Sequence, residues 1–474
     1  SLVRSTRRLW KDHSHAPPRV QEVCISSHGE GTIPVDREGQ PLAPAMLSMD
    51  MRGSPNIRRH VRGWINVAGY SITKLPRWIR LTGGAPALSG KDPAGHMLYI
   101  RDTFPDIYRR THKFLNVLDY MSYRLTGRMV ATYDSILTSW VTDNRDVSQL
   151  KYDPGLIAMS GIDAEKFPDL VACTDVLGPL TSSAASDLGL DRSTQLVAGA
   201  IDAAAAAVGS GAIADGQPHL YIGTSSWIAA HVPFKKTDLF ASIASVPCAV
   251  SGKYLMIALQ TTAGGNLSYL KNNVLYHQDE LLQEASVPDI YKVLDTIADR
   301  VPAGSRGLIY LPWLYGERCP VDDGHLRASL FGLSLEHTRE EIIRAFYEGV
   351  ALNTRWVLPA VRKFLGQPVS SLRMIGGGAI SPVWCQIFAD VLGVAIEPIT
   401  QPQQANALGA WGIAAVGLGQ MTFDDVGRAI AVGKRFEPNP RHRGVYEDRF
   451  ATFLELHRRL KPVYHRSLSI EENK

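Results

Sequence analysis

Asp202 stands in LVAGAIDAAAAAVGSG, residues 196–211, between an apolar run and five alanines, with no other charged side chain for several residues on either side. An acid at a strand-to-helix junction can cap the helix by accepting backbone N–H bonds, which stabilises it by about 1 kcal/mol. The same geometry leaves one carboxylate oxygen free to take a proton in a cleft, so a general base is the second reading. Two glycine turns follow. In YIGTSSW, Gly223, Thr224 and Ser225 lie between strand-like runs. That is ordinary hairpin chemistry, and it is also a set of N–H groups and hydroxyls able to cradle a phosphate. In MIGGGAISP, Gly376, Gly377, Gly378 and Ala379 separate an apolar strand from a helix that Ser381 would cap and Pro382 would begin. This is either a tight turn or a place where bare backbone meets a nucleotide beyond the carboxyl end of a strand.

Other chemical candidates fail on context. GSGAIA from Gly209 fits a dinucleotide fingerprint, but it follows a helix and lacks the later ribose-binding acid. There is no P-loop motif. The sequon at Asn266 has no secretory context, and His13 with His15 lacks further ligands for a metal.

The elements that must hold these residues read as α/β. Short strand-like runs alternate with helices, and the alternation begins again after about Lys253, as if the architecture repeats without the sequence repeating. Thr338 and Glu341 form a capping box for a long helix with Ile342, Ile343, Phe346 and Val350 on one face, which Pro359 is expected to disturb. Residues 405–419 predict a helix of small side chains that another backbone or a flat ligand can approach closely. The opening SLVRSTRRLW predicts helix, without the apolar core of a secretory signal.

With 474 residues the chain exceeds the size of one hydrophobic core, so two or three domains are expected. The apolar content of 45% and charged content of 20% are those of an ordinary globular protein. Apolar runs are broken well short of the roughly 18 residues that span a bilayer, so no membrane span is expected. Five scattered cysteines with no C-x-x-C pair argue for reduced thiols in a cytoplasm. A formal charge of +4, and arginines without interleaved aromatics, point away from a nucleic-acid partner.

The ordered set VAGAIDAAAAAVGSG, YIGTSSW, LPWLYGERCPVDD, the 338–358 helix, MIGGGAISPVWCQIFADVLG and ANALGAWGIAA resembles the FGGY carbohydrate kinases, and within them the xylulokinase-like branch. The resemblance implies an α/β, two-domain actin-like ATPase (ribonuclease H-like) fold with a cleft between the domains. The expected division is residues 1–237, binding sugar, and 238–474, binding nucleotide. By the resemblance Asp202 is the catalytic base and touches substrate; Gly223, Thr224 and Ser225 form the second phosphate hairpin; Gly264 approaches the nucleotide at a helix start; and Gly376 to Ala379 meet the adenosine. In SHGEG, residues 27–31, His28 and Glu30 occupy the substrate-contacting turn. There Glu30 takes the position that is histidine in many xylulokinases and glutamate in glycerol kinases and some linear-polyol relatives, and His28 and Gly29 depart from the xylulokinase Gln-Met pattern. Family members begin with an Asp-x-Gly-Thr hairpin that contributes to the metal site; this sequence starts after it, which suggests an omitted or removed segment. The implied activity is transfer of the γ-phosphate of ATP, with Mg2+, to D-xylulose. Erythritol, glycerol, gluconate or ribulose are the alternative acceptors, and a non-catalytic nucleotide-binding member is the alternative role. No residue is assigned as a metal ligand, and a homodimer is the assembly to test.

Overall fold

The computed structural model of the chain describes residues 2–12, 20–275 and 289–471. His13 and His15 lie outside them. The opening residues form the expected helix, Leu2–Asp12.

Two sheets organise the molecule. The smaller has the order Val176–Pro179, Gln195–Ile201, Glu22–Ser27. Its last two strands run parallel, with Ser27 beside Ile201. The larger has seven strands in the order Thr237–Asp238, Ile243–Pro247, Tyr254–Gln260, Ser226–Val232, Pro218–Ile222, Ser371–Ile375, Ala395–Pro398. The strands Pro218–Ile222 and Ser371–Ile375 are parallel neighbours, with Tyr221 opposite Ile375. The division expected at residue 237 therefore falls within this sheet, because both hairpin strands before it pair with strands after it. Local sequence carries alternation and turns, but not the identity of a strand's partner.

The long helix runs Arg339–Leu365 with its capping box formed, the Thr338 N–H donating to Glu341 Oε2 at 2.8 Å. It does not break at Pro359. A proline inside a helix costs about 3 kcal/mol. Here Val357, Leu358, Val361 and Phe364 on either side of it are fully buried in the core beneath the large sheet, and burying each such side chain stabilises by about 1.5–3 kcal/mol, so packing wins. The helix Pro382–Leu392 starts at Ser381, whose hydroxyl accepts from the Trp384 N–H, and stops at the left-handed Gly393, as its sequence predicts.

The two halves meet along small residues. The helix Asp202–Gly209, which leaves the small sheet, lies against the helix Ala405–Gly417. A Cβ on Gly209 would stand 1.8 Å from the Ala405 carbonyl oxygen, and one on Gly409 would stand 1.8 Å from that of Ala205. The small-residue helix thus serves approach by another backbone, the first of the two uses its composition allows. Four of the five cysteines are buried and all are free thiols. No helix among the described residues is long and apolar enough to cross a membrane.

Candidate active site

Four strand ends carry the candidate site residues, in two parallel pairs. In the small sheet Glu22–Ser27 delivers His28, and its neighbour Gln195–Ile201 delivers Asp202. In the large sheet Pro218–Ile222 delivers Gly223, and its neighbour Ser371–Ile375 delivers Gly376. Carboxyl ends of parallel strands are where open α/β sheets bind ligands, because the backbone there turns away and leaves a crevice.

Asp202 does not cap its helix in the expected way. Ile201 occupies the capping position, and Asp202 is the first helical residue, its Oδ1 accepting from the Ala203 N–H at 2.8 Å. That leaves its second oxygen for a ligand. The side chain is half-buried, and burial raises its pKa above 3.8 against the lowering effects of the Ala203 N–H and the nearby His28. Gly29 packs against Ile201, which holds the 27–31 turn beside the acid. His28 Nε2 pairs with Ser48 Oγ at 2.9 Å, and the Gly31 N–H donates to Asn116 Oδ1 at 3.0 Å. Glu30 has φ of 60°, in the left-handed region that non-glycine residues seldom occupy. Such strain persists where the surroundings over-determine it, and it clusters at binding sites. Beside this turn, Arg52 donates to both oxygens of Asp50, and His96 bridges the Asp50 carbonyl and Thr32 Oγ1.

On the opposite side, Gly223, Thr224 and Ser225 form a three-residue hairpin loop, with Ser226 already paired in the next strand. The start of the helix Gly264–Tyr269 is spent on this loop. The N–H groups of Ala263 and Gly265 donate to the Thr224 carbonyl, at 2.8 and 3.1 Å, and that of Gly264 donates to the Gly223 carbonyl at 2.8 Å. A Cβ on Gly264 would stand 2.5 Å from the Gly223 oxygen, so only glycine permits this contact. With its carbonyls pulled inward, the loop keeps the Thr224 and Ser225 N–H groups without a backbone partner among the described residues. Gly376 has φ of 88° and its missing Cβ would collide with the Ile222 carbonyl; Gly378 is closed by Ile222 and Trp384. Gly377 is exposed with open space where a Cβ would point, and Ala379 is buried beside it. The expected site residues therefore divide into His28, Glu30 and Asp202 on the small sheet and the glycine turns on the large one.

Tyr221 links the two groups and was not legible in the sequence. Its ring stacks on Trp227, directly across the hairpin, with centroids 3.8 Å apart. A Cβ on Gly223 would meet its hydroxyl at 2.2 Å, and burial, then the charge of Asp202, raise its pKa. The signal was an aromatic two residues before Gly223 on an alternating strand, which alone reads as packing. Asn406 is a second such residue, donating to the Asp202 carbonyl at 3.3 Å from the small-residue helix.

Residues 1–209 match the N-terminal domain of the FGGY family of carbohydrate kinases, and residues 220–418 match its C-terminal domain. The chain belongs to the FGGY family and is a carbohydrate kinase of actin-like ATPase fold. It is 27% identical over 466 residues to a gluconokinase of Bacillus subtilis, spanning 98% of this chain and 87% of that one. It is 28% identical over 447 residues to a xylulose kinase of Staphylococcus epidermidis, spanning 94% and 84%. Its fold matches the crystal structure of gluconate kinase from Lactobacillus acidophilus with a TM-score of 0.79 at 24% identity, over 94% of this chain and 85% of that one.

Proposed function

We propose that this chain transfers the γ-phosphate of ATP to a hydroxyl of a small linear sugar or polyol, with D-xylulose as the acceptor, and that Asp202 is the general base. The observation that carries the reading is the pairing of strand ends: an acid and a polar turn at one pair, bare glycine turns at the other. Phosphoryl transfer passes through a loose transition state, so the protein's work is positioning and neutralising charge on the transferring oxygens. The Thr224 and Ser225 N–H groups, without a backbone partner among the described residues, suit that charge, and Gly377 leaves the adenosine side open. Asp202, with one oxygen tied to Ala203, takes the proton of the attacking hydroxyl on the other, worth 10²–10⁴-fold by the usual range for a positioned base.

Mg2+ bound to the triphosphate would neutralise its charge. Among the described residues no cluster of three ligating side chains adjoins the hairpin.

Glu30 sets gluconate apart from the neutral acceptors. A carboxylate in the substrate turn repels an acid such as gluconate and accepts hydroxyl donors from a neutral sugar. Release of ADP measured against D-xylulose, ribulose, gluconate, glycerol and erythritol tests this. The expected result is the highest kcat/KM for D-xylulose, at least tenfold above gluconate. Gluconate as the better acceptor overturns the substrate, and no turnover with any of the five overturns the kinase reading.

A further inference from the structure

Outside the cleft, three ligating side chains from distant parts of the chain meet at one point. Asp323 lies in the loop after the strand Ile309–Leu311, with His325 two residues on, and His465 comes from the C-terminal helix Arg443–Glu471. His465 Nε2 is 2.8 Å from Asp323 Oδ2, and His325 Nδ1 is 3.6 Å from Asp323 Oδ1. The three ligating atoms lie within 4.8 Å of one another, and the imidazole centroids are 4.5 Å apart.

The geometry points to a binding site for a zinc-class divalent cation, formed by Asp323, His325 and His465, that clips the C-terminal helix to the 317–326 loop. Two imidazoles and one carboxylate are the donor set that zinc takes, and that calcium and magnesium do not prefer. Zinc bonds of about 2.0–2.2 Å in a tetrahedral site place the donor atoms about 3.3–3.6 Å apart. His465 Nε2 stands 2.8 Å from Asp323 Oδ2 and His325 Nδ1 3.6 Å from Asp323 Oδ1, near enough to that spacing for small side-chain rotations to bring the three groups onto one ion. The Asp323 side chain is only 3% exposed and so holds its place, while the histidines are 44% and 43% exposed and can adjust around an entering ion. A fourth position is left for water.

One group opposes the ion. Lys461, one helical turn before His465, brings its ammonium to 3.5 Å from Asp323 Oδ2. At 42% exposure it can swing into solvent, but its charge must be displaced first. Asp323 also shapes the loop: its N–H donates to the Glu317 carbonyl at 2.8 Å, and the Glu317 N–H returns a bond at 3.0 Å. The Glu317 carboxylate accepts from the Thr261 N–H, three residues before Gly264. An ion here would stiffen the support of the nucleotide side without entering the cleft, so the inference is independent of the acceptor sugar.

Calorimetric titration of the tag-free, metal-free chain with Zn2+ in excess Mg2+ tests it. The expected result is one equivalent bound with a micromolar Kd, weakened at least tenfold in H325A/H465A and tightened severalfold in K461A. A zinc-dependent rise in melting temperature in the native chain, absent from H325A/H465A, is expected with it. Because K461A should gain affinity, loss of folding in the double variant cannot mimic the result. No zinc binding, equal binding in H325A/H465A, or weaker binding in K461A overturns the site.

Discussion

A carboxyl group is a poor base when its pKa lies far below the working pH, and Asp202 is shifted in the useful direction. Burial raises it above 3.8, with the Ala203 N–H and His28 acting against that rise. The raised carboxyl must still be ionised to accept a proton, so the sign is fixed: activity falls as pH drops through its pKa. Asp202→Asn should lower kcat by about 10²–10⁴-fold while leaving the dissociation constant for nucleotide unchanged. The pH profile of kcat should show an acid limb centred above 3.8 in the native chain that is missing from the residual activity of the variant. An unchanged kcat in Asp202→Asn removes the base from the mechanism.

Between elements, the decisive contact is glycine against carbonyl. The crossing of Asp202–Gly209 with Ala405–Gly417 brings backbone so close that any Cβ at Gly409 falls 1.8 Å from the Ala205 oxygen. Backbone cannot yield as a flexible side chain can, so Gly409→Val should exceed the usual overpacking penalty and cost at least about 3 kcal/mol in urea unfolding. The comparison is Gly444→Ala, a helical glycine with nothing within 4 Å of its missing Cβ, which should be neutral or stabilising by up to about 1 kcal/mol. Similar costs for the two variants would show that helix propensity, and not the crossing, is what glycine serves. The crossing also sets the acid, since Asn406 on one helix holds the Asp202 carbonyl on the other.

For the whole molecule, acid stability is a contest between buried groups of opposite sign. His219 and His231 sit in central strands of the large sheet, and burial pushes their pKa values down to about 3 and about 4. Each stays neutral when folded but takes a proton near 6.5 when unfolded, so each withdraws stability as pH falls below 6.5 toward its folded value. Buried Asp119 and Asp92 are pushed up to about 7 and about 6. They bind a proton in the folded state first and add stability over the same window, so the net curve between pH 7 and 5 should be shallow. One variant isolates one side of the balance. From pH 7 to 5, His231→Gln should gain about 2 kcal/mol relative to the native chain, from 1.5 units at 1.36 kcal/mol each. A difference that stays constant with pH would mean that His231 takes up its proton at the same pH folded and unfolded.

What the residues alone determined was local: the caps at Ser381 and Thr338, the stop at Gly393, the hairpin at Gly223 to Ser225, the glycine turn at 376–378, and the lone acid at the end of an apolar strand. Each is set by backbone conformation or by a bond to a near neighbour in the chain, so it is written within a few positions. The family resemblance supplied the order in which these pieces belong to a carbohydrate kinase. Strand partnership was not written there. That Pro218–Ile222 pairs with Ser371–Ile375, each residue with one 154 positions further on, depends on which apolar faces fit together, and the same holds for the helix that runs on through Pro359. Only the tertiary structure could set Tyr221 near Asp202, or bring His465 to Asp323. Contacts between distant segments are decided by packing, and packing is a property of the whole chain at once.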